Sequence, residues 1–267
     1  MKELYPQANI VPLIIDHLSL ASVVSAAKTF LSQETQLHGL LNNAGIMAVP
    51  WALSPDGHET EWQTNYLAHW VLTEHLLPTM LATSKTCPAG TVRIVNLTSA
   101  GHWRAPHGGI NFTDLTNKDG APWSRYGQSK LADILYAKTL NKLYGPGSES
   151  ARSGKGEIWT AAVHPGLVES QLADRAGDNF NYMQKFLRLM GQYIETDQGS
   201  YTSLFCVASN GMNKEQSGRY FVRVAKTGTW WESWYARDAQ LAKNLEQWTR
   251  EQMNKEGWVG KEYGGDI

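Results

Sequence analysis

SRYGQSKLADILYAKTL, residues 124–140, combines an apolar helical face with a tyrosine and a lysine one turn apart. Leu131 and Leu135 recur at helical spacing, which predicts a helix packed on a core. Tyr126 and Lys130 stand at positions i and i+4, so their side chains share one face of that helix. A nearby ammonium favours the phenolate and lowers a tyrosine pKa, as proton transfer near neutral pH requires. The same spacing also occurs at the polar end of an ordinary packed helix, so the rest of the chain must distinguish the two interpretations.

Composition bounds the class of protein. The chain has 267 residues, of which 42% are hydrophobic, and a formal net charge of −1 at pH 7. The length suits one large α/β domain, and the near-neutral charge gives no reason to expect a nucleic-acid partner. No apolar run approaches the ~18 residues of a transmembrane helix, and the first ten residues lack the apolar core of a signal peptide. With only Cys87 and Cys206, the sequence predicts neither a disulfide framework nor a metal site, and a cytoplasmic location fits best.

Alternating apolar segments predict the order of the elements. Short, largely apolar runs predict five buried strands: 9–16, 37–45, 91–99, 157–166 and 217–224. Segments with helical periodicity predict five helices: 20–33, 59–81, 124–140, 197–209 and 236–254. Strands that alternate with helices predict a single α/β domain over residues 1–267, with a Rossmann-like, doubly wound parallel sheet and helices on both faces.

Four short motifs follow one another on these elements. They are NNAG at 42–45, the serine of VNLTS at Ser99, YGQSK at 126–130 and HPG at 164–166. Together they resemble the motifs of the short-chain dehydrogenase/reductase family, in the same order and over essentially the whole chain. The stretch between Ser99 and Tyr126, which contains INFTDL, is most similar to the retinol dehydrogenase-like group of that family.

The resemblance implies a catalytic set drawn from three elements. Tyr126 would donate or accept the proton, and Ser99 would hydrogen-bond the same substrate oxygen, on which negative charge develops during reduction. Lys130 would hold the tyrosine pKa down and bind the nicotinamide ribose. Asn65, in WQTNYLAHW, matches the family asparagine at a helix kink that passes protons through water to the lysine. An ordinary hydrogen-bonded helix asparagine is the alternative.

The resemblance also implies a nicotinamide cofactor, NADP with NAD as the alternative, held in part by Tyr126 and Lys130. Asp16 would meet the adenine amino group, with a turn or cap residue as the alternative. Asn43, Ala44 and Gly45 would run along the adenosine ribose, and Gly45 would permit close backbone approach. The remaining cofactor contacts would follow the fourth predicted strand, on the nicotinamide side: Pro165, Val168 and Ser170.

One part of the family pattern has no counterpart in the sequence. The family begins with a strand, a Gly-rich TGxxxGxG turn and a helix whose N-terminus binds pyrophosphate, whereas only 15 residues precede Asp16. A crossover alone needs about 10–12 residues between its strands, so the first βαβ unit is expected to be missing. The open strand edge would favour aggregation or a homo-oligomer. An incomplete version of a longer reductase and a truncated protein both remain open.

The sequence therefore favours an NAD(P)-dependent oxidoreductase that interconverts a small hydrophobic alcohol with a ketone or aldehyde, for example as a tailoring step of secondary metabolism. A noncatalytic, reductase-like scaffold or interaction subunit with weak or no cofactor binding is the alternative from another class. Pocket residues are expected from 100–123 and 170–195. The tryptophan-rich TWWESWY at 229–235 either lines a pocket or packs in the core.

Overall fold

The computed structural model of the chain describes residues 6–166, 196–222 and 226–260. Its strands are β1 Gly39–Asn42, β2 Arg93–Leu97, β3 Trp159–His164, β4 Arg219–Val222 and β5 Lys226–Thr227. Its α-helices are α1 Leu20–Gln33, α2 Thr60–Trp62, α3 Ala68–Ser84, α4 Pro122–Tyr144, α5 Glu149–Arg152, α6 Thr196–Ala208 and α7 Ala239–Lys255. A π-helical turn at Gln63–Leu67 joins α2 to α3. All five predicted helices are present, with bounds that differ by a few residues.

The strands form one sheet in the order β1-β2-β3-β4-β5. The first four run parallel, and the two-residue β5 pairs antiparallel with β4. The register pairs Asn42 with Asn96 and Leu97 with Val163, so the carboxyl ends of the parallel strands lie along one edge of the sheet. Open α/β sheets bind their ligands beyond that edge.

Alternate residues of the strands face two hydrophobic layers. Ile94 and Ala162 belong to a layer to which α1, α3, α4 and α7 contribute. Val95 and Ala161, one residue earlier or later, belong to a second layer that includes Cys206 from α6. Because successive side chains of a strand point to opposite faces, a sheet with apolar residues at both parities must be covered on both sides. The predicted parallel α/β sheet with helices on both faces is confirmed.

Residues 9–16 do not form the strand that their apolar composition predicts. Val11 is 64% exposed and Ile14 is 91% exposed. No strand in the described part of the chain pairs with this segment, and an extended run without a neighbour gains neither ladder hydrogen bonds nor a buried face. Asp16 instead begins a turn into α1, whose N-cap is Ser19.

The strand predicted at 37–45 is present as β1, but it is not buried along its length. Leu41 is 39% exposed, and only Asn42 is fully buried. The reason is its place in the sheet: β1 pairs with β2 on one side, and its other side has no partner strand among the described residues.

No helix in the described ranges is long and apolar enough to cross a membrane.

Candidate active site

Tyr126 lies in the second turn of α4, against the turn that follows β2. The helix starts at Pro122, a position where proline costs no hydrogen bond. The tyrosine is only 3% exposed. A Cβ on Gly101 would lie 2.6 Å from Cε1 of Tyr126, so this glycine lets the backbone approach the ring closely. The ring of Trp123 stands edge-on to the tyrosine ring, with 5.9 Å between centroids.

Ser99 begins the 3-10 turn Ala100–Arg104 directly after β2. Its hydroxyl accepts a hydrogen bond from the Gly101 amide at 3.0 Å, and both this hydroxyl and the Tyr126 ring lie beside Gly101. Gly127 allows α4 to pack on this turn, since a Cβ there would lie 2.6 Å from backbone atoms of Arg104 and Ala105. The structure thus brings together Ser99 and Tyr126, which are 27 positions apart in the sequence.

The pKa of Tyr126 is raised above its ordinary value, chiefly because burial disfavours the phenolate. The Lys130 ammonium and the nearby Ser99 hydroxyl both act to lower it. Lys130 therefore acts on the tyrosine pKa in the predicted direction, and in the protein alone burial outweighs its effect. Tyr126 is a neutral phenol at neutral pH, which is the protonation state of a proton donor.

Lys130 is held by two partners inside the protein. Its ammonium donates to the Leu97 carbonyl at 2.8 Å and to the Asp133 carboxylate at 2.9 Å. Burial raises the pKa of Asp133 to about 7, although Lys130 acts to lower it. The Asp133 charge also raises the pKa of Tyr126, so it opposes the lysine. Asp133 was not predicted as a site residue; its i+3 spacing from Lys130 is the signal that could have identified it.

Asn65 lies in the π-helical turn Gln63–Leu67, an irregularity at the position of the predicted kink. Its side-chain oxygen accepts from the Ile46 amide at 2.8 Å. Its side-chain nitrogen donates to the Ile46 carbonyl at 3.0 Å and to the Ser129 hydroxyl at 2.9 Å. The side chain therefore ties the loop after β1 to α4. This is the role of a hydrogen-bonded structural asparagine, and the proton relay stays a prediction.

The backbone at Gly45 faces the space between Asn65 and Lys130. A Cβ on Gly45 would lie 3.2 Å from the Asn65 side-chain oxygen and 3.7 Å from the Lys130 ammonium nitrogen. Glycine leaves that space free. The Lys130 ammonium beside it has three hydrogens and uses two of them for the Leu97 carbonyl and the Asp133 carboxylate. The residues present fit the ribose hydroxyls that the resemblance implies at this place. Asn43 is exposed and Ala44 is half-buried on the same loop.

The other predicted cofactor residues are placed less tightly. Asp16 is exposed, and its carboxylate accepts from the Leu18 amide at 2.9 Å, which is the geometry of the turn alternative. Pro165 directly follows β3, at the carboxyl edge of the sheet. Val168, Ser170 and the expected pocket region 170–195 lie outside the described residues.

A buried carboxyl close to the site was not predicted. Glu61 is fully buried and accepts from the Val49 amide at 3.4 Å. Burial, reinforced by the charge of Glu59, raises the pKa of Glu61 to about 8. Its charge, when present, acts to raise the pKa of Tyr126. An acidic residue near the start of a predicted helix carries no sequence signal that would place it near the tyrosine.

The tryptophans of 229–235 are on the surface. Trp230, Trp231 and Trp234 are 93%, 58% and 78% exposed. The prediction that these three residues pack in the core is therefore wrong.

Among the described residues, no group of His, Cys, Asp and Glu side chains could hold a metal ion.

Several known proteins are similar to the chain in sequence or in fold. No protein-family model matches the chain. The chain is 48% identical over 253 residues to the short-chain dehydrogenase/reductase drtF of Aspergillus calidoustus, covering 94% of this chain and 79% of that protein. It is 35% identical over 235 residues to retinol dehydrogenase 12 of Bos taurus, of which it spans 66%, just under two thirds of the length. A solved structure of an uncharacterized protein from Mycobacterium paratuberculosis has a TM-score of 0.61 at 27% identity, with 90% of this chain and 74% of that one covered.

Proposed function

The chain belongs to the short-chain dehydrogenase/reductase family, and from that premise we propose that it is an NAD(P)-dependent oxidoreductase acting on small hydrophobic alcohols, aldehydes or ketones. One observation carries the proposal: the Ser99 hydroxyl and the buried Tyr126 side chain are brought together beside Gly101, with Lys130 one helical turn away. Two adjacent hydroxyls can both turn towards one substrate oxygen. A noncatalytic scaffold gives no reason for that arrangement.

The proposed roles follow from where charge develops. When bound, the nicotinamide supplies or accepts the hydride. In the reduction direction the carbonyl oxygen becomes negative, and Ser99 donates a hydrogen bond to it while Tyr126 donates the proton. The Lys130 ammonium stabilises the phenolate that remains, and the effect is strong because the surroundings are buried. In the oxidation direction the same phenolate accepts the alcohol proton.

The proposed cofactor is NADP, with NAD as the alternative, on family resemblance alone. Lys130 would bind the nicotinamide ribose, with Tyr126 beside it, and the Gly45 backbone would run along the adenosine ribose. The contacts proposed for Asp16, Asn43, Ala44, Pro165, Val168 and Ser170 complete the set. A cytoplasmic location, a homo-oligomer and a role in secondary metabolism stay predictions from the sequence. Because a relative is named a retinol dehydrogenase, retinaldehyde is the first aldehyde to test.

The test has two stages. NADPH and NADH are titrated separately against intrinsic tryptophan fluorescence and against the melting temperature. Turnover is then followed by the loss of reduced nicotinamide absorbance with retinaldehyde and a panel of apolar aldehydes and ketones. We expect saturable binding and reduction of at least one member. If neither nicotinamide binds at millimolar concentration, the proposal is wrong and the noncatalytic scaffold is favoured.

A further inference from the structure

The turn that carries Ser99 is joined to the tryptophan-rich part of the chain by His102. This histidine is completely buried. Its Nδ1 lies 2.7 Å from the Ser99 carbonyl oxygen, and its Nε2 accepts from the Ser233 amide at 3.1 Å. Because a backbone amide can only donate and a carbonyl can only accept, the hydrogen must sit on Nδ1. Burial lowers the pKa of His102 to about 4, so the ring stays neutral with this tautomer near neutral pH.

Residues 229–236, the tryptophan segment, are held at several other places. The Trp103 indole, next to His102, donates to the Trp231 carbonyl at 3.2 Å. Lys138, on α4, donates to the Ala236 carbonyl at 2.8 Å and pairs with the Glu232 carboxylate. The segment is therefore fastened to the turn after Ser99 and to the helix that carries Tyr126.

The tryptophan segment and Trp103 together present exposed apolar surface. Trp231 is 58% exposed and Trp103 is 52% exposed, although the Trp103 indole is hydrogen-bonded to the Trp231 carbonyl. Exposed aromatic side chains on two hydrogen-bonded segments, one of them four positions after Ser99, are typical of surfaces that contact an apolar ligand. His102 lies between this surface and the backbone of Ser99.

We propose that His102 is a positioning residue with two separable tasks: through Nδ1 it fixes the backbone of Ser99, and through Nε2 it holds the tryptophan segment as the apolar, substrate-selecting side of the same site. The inference rests on the proposed function for the meaning of Ser99, but the link through His102 is a property of the fold. Fixing the Ser99 carbonyl holds the backbone from which the hydroxyl extends, so its loss should affect the rate of the chemical step. Holding Trp231 in place affects apolar substrate binding.

Two substitutions separate the tasks. His102→Asn puts an amide nitrogen near the place of Nδ1, so it can donate to the Ser99 carbonyl but cannot reach Ser233. His102→Gln puts an amide oxygen near the place of Nε2, so it can accept from Ser233 without bonding Ser99. His102→Phe keeps the ring volume and loses both hydrogen bonds. The three variants are matched in position and burial.

The kinetic readout is the split between kcat and KM for an apolar aldehyde that the unmodified protein reduces. Since small displacements of catalytic groups are costly, we expect His102→Gln to lower kcat about 10-fold with little change in KM. We expect His102→Asn to raise KM about 10-fold with kcat nearly unchanged, because only the apolar side is released. Equal effects of the two variants on both parameters, or no effect of His102→Phe, would overturn the proposal.

A second readout needs no substrate, so it separates this inference from the proposed function. In spectra of protein labelled with ¹⁵N-histidine, His102 should show the Nδ1–H tautomer and no titration between pH 5 and 8. Acrylamide should quench tryptophan fluorescence more in His102→Asn than in His102→Gln. If these signatures are present in a protein that reduces no aldehyde, the proposed function fails and the link stands. If His102 titrates near pH ~6.5 as a free imidazole does, the link is wrong whatever the activity.

Discussion

The two ends of the candidate site are built differently. At the end proposed for catalysis Tyr126, Lys130 and Asn65 are buried, and each contacts another element. At the end predicted for adenosine, Asp16 and Asn43 are exposed, and the hydrogen bonds of the Asp16 side chain stay within its own turn. The difference shows where the fold itself provides precision. Proton transfer needs groups fixed to within a fraction of an ångström, whereas surface contacts to a cofactor can form when it binds.

The largest effect should come from removing the Tyr126 hydroxyl, the proposed proton donor at the buried end of the site. Tyr126→Phe should lower turnover by about 10²- to 10⁴-fold, the usual contribution of general acid–base catalysis. Nicotinamide affinity and the melting temperature should change little, because only a hydroxyl is lost. Tyr136→Phe, at a buried tyrosine on the same helix, is the matched control and should leave turnover near normal. Near-normal turnover in Tyr126→Phe would remove Tyr126 from the mechanism.

The packing of α4 on the turn after Ser99 can be disrupted by adding a methyl group at Gly127. Gly127→Ala would place a methyl group 2.6 Å from the backbone of the turn after Ser99, which cannot move aside cheaply. We expect a loss of about 1–3 kcal/mol in the free energy of unfolding, as for other overpacked sites, with a loss of activity. The control is Gly228→Ala, where φ is 174° and the nearest atom to the added methyl lies 3.5 Å away. Equal stability of both variants would contradict the tight packing of α4 on this turn.

Charge rather than volume is tested at Asp133. Asp133→Asn keeps an oxygen that can accept from Lys130 and removes the negative charge that raises the pKa of Tyr126. The pH at which activity follows tyrosine ionisation should therefore move to lower pH, most clearly above pH 7, where the carboxyl is ionised in the unmodified protein. Asp119→Asn, at an exposed position, makes the same charge change and should leave the profile in place.

The same variant has a thermodynamic signature. Folding raises the pKa of Asp133 from 3.8 to about 7, so the folded state binds the proton more tightly than the unfolded state. Its contribution to stability is complete below pH ~4 and is lost as the pH rises to about 7. Melting curves across this range should show the unmodified protein losing stability relative to Asp133→Asn as the pH increases. A difference that is constant with pH, or an upward shift of the activity profile, would rule out this coupling.

The smallest effect is expected at Asp16, at the exposed end of the site predicted for adenosine. Asp16→Asn keeps a side-chain oxygen for the local turn, so the free energy of unfolding should change by no more than about 0.5 kcal/mol. If the carboxylate meets the adenine amino group, NADPH affinity should fall about 10-fold, the value of one hydrogen bond to a charged group. Isothermal titration with NADPH and with nicotinamide mononucleotide, which lacks adenine, isolates the effect. Unchanged NADPH affinity would leave Asp16 as a turn residue only.

The sequence by itself determined the order of the helices and the shared helical face of Tyr126 and Lys130. Both are local properties: a hydrophobic period or an i, i+4 spacing acts within one segment, wherever that segment packs. It also placed Ser99 at a strand end, where the structure has the end of β2.

Only the tertiary structure decided the features that depend on partners distant in the sequence. Residues 9–16 have strand composition but no described neighbouring strand, so they form no strand and are largely exposed. The pKa of Tyr126 rises because its burial sums contributions from several elements, and that sum outweighs the one lysine visible from spacing. His102 gains its role through Ser233, 131 positions later. Spacing along a chain specifies which groups can share a face, whereas burial and pairing depend on what the rest of the fold places beside them.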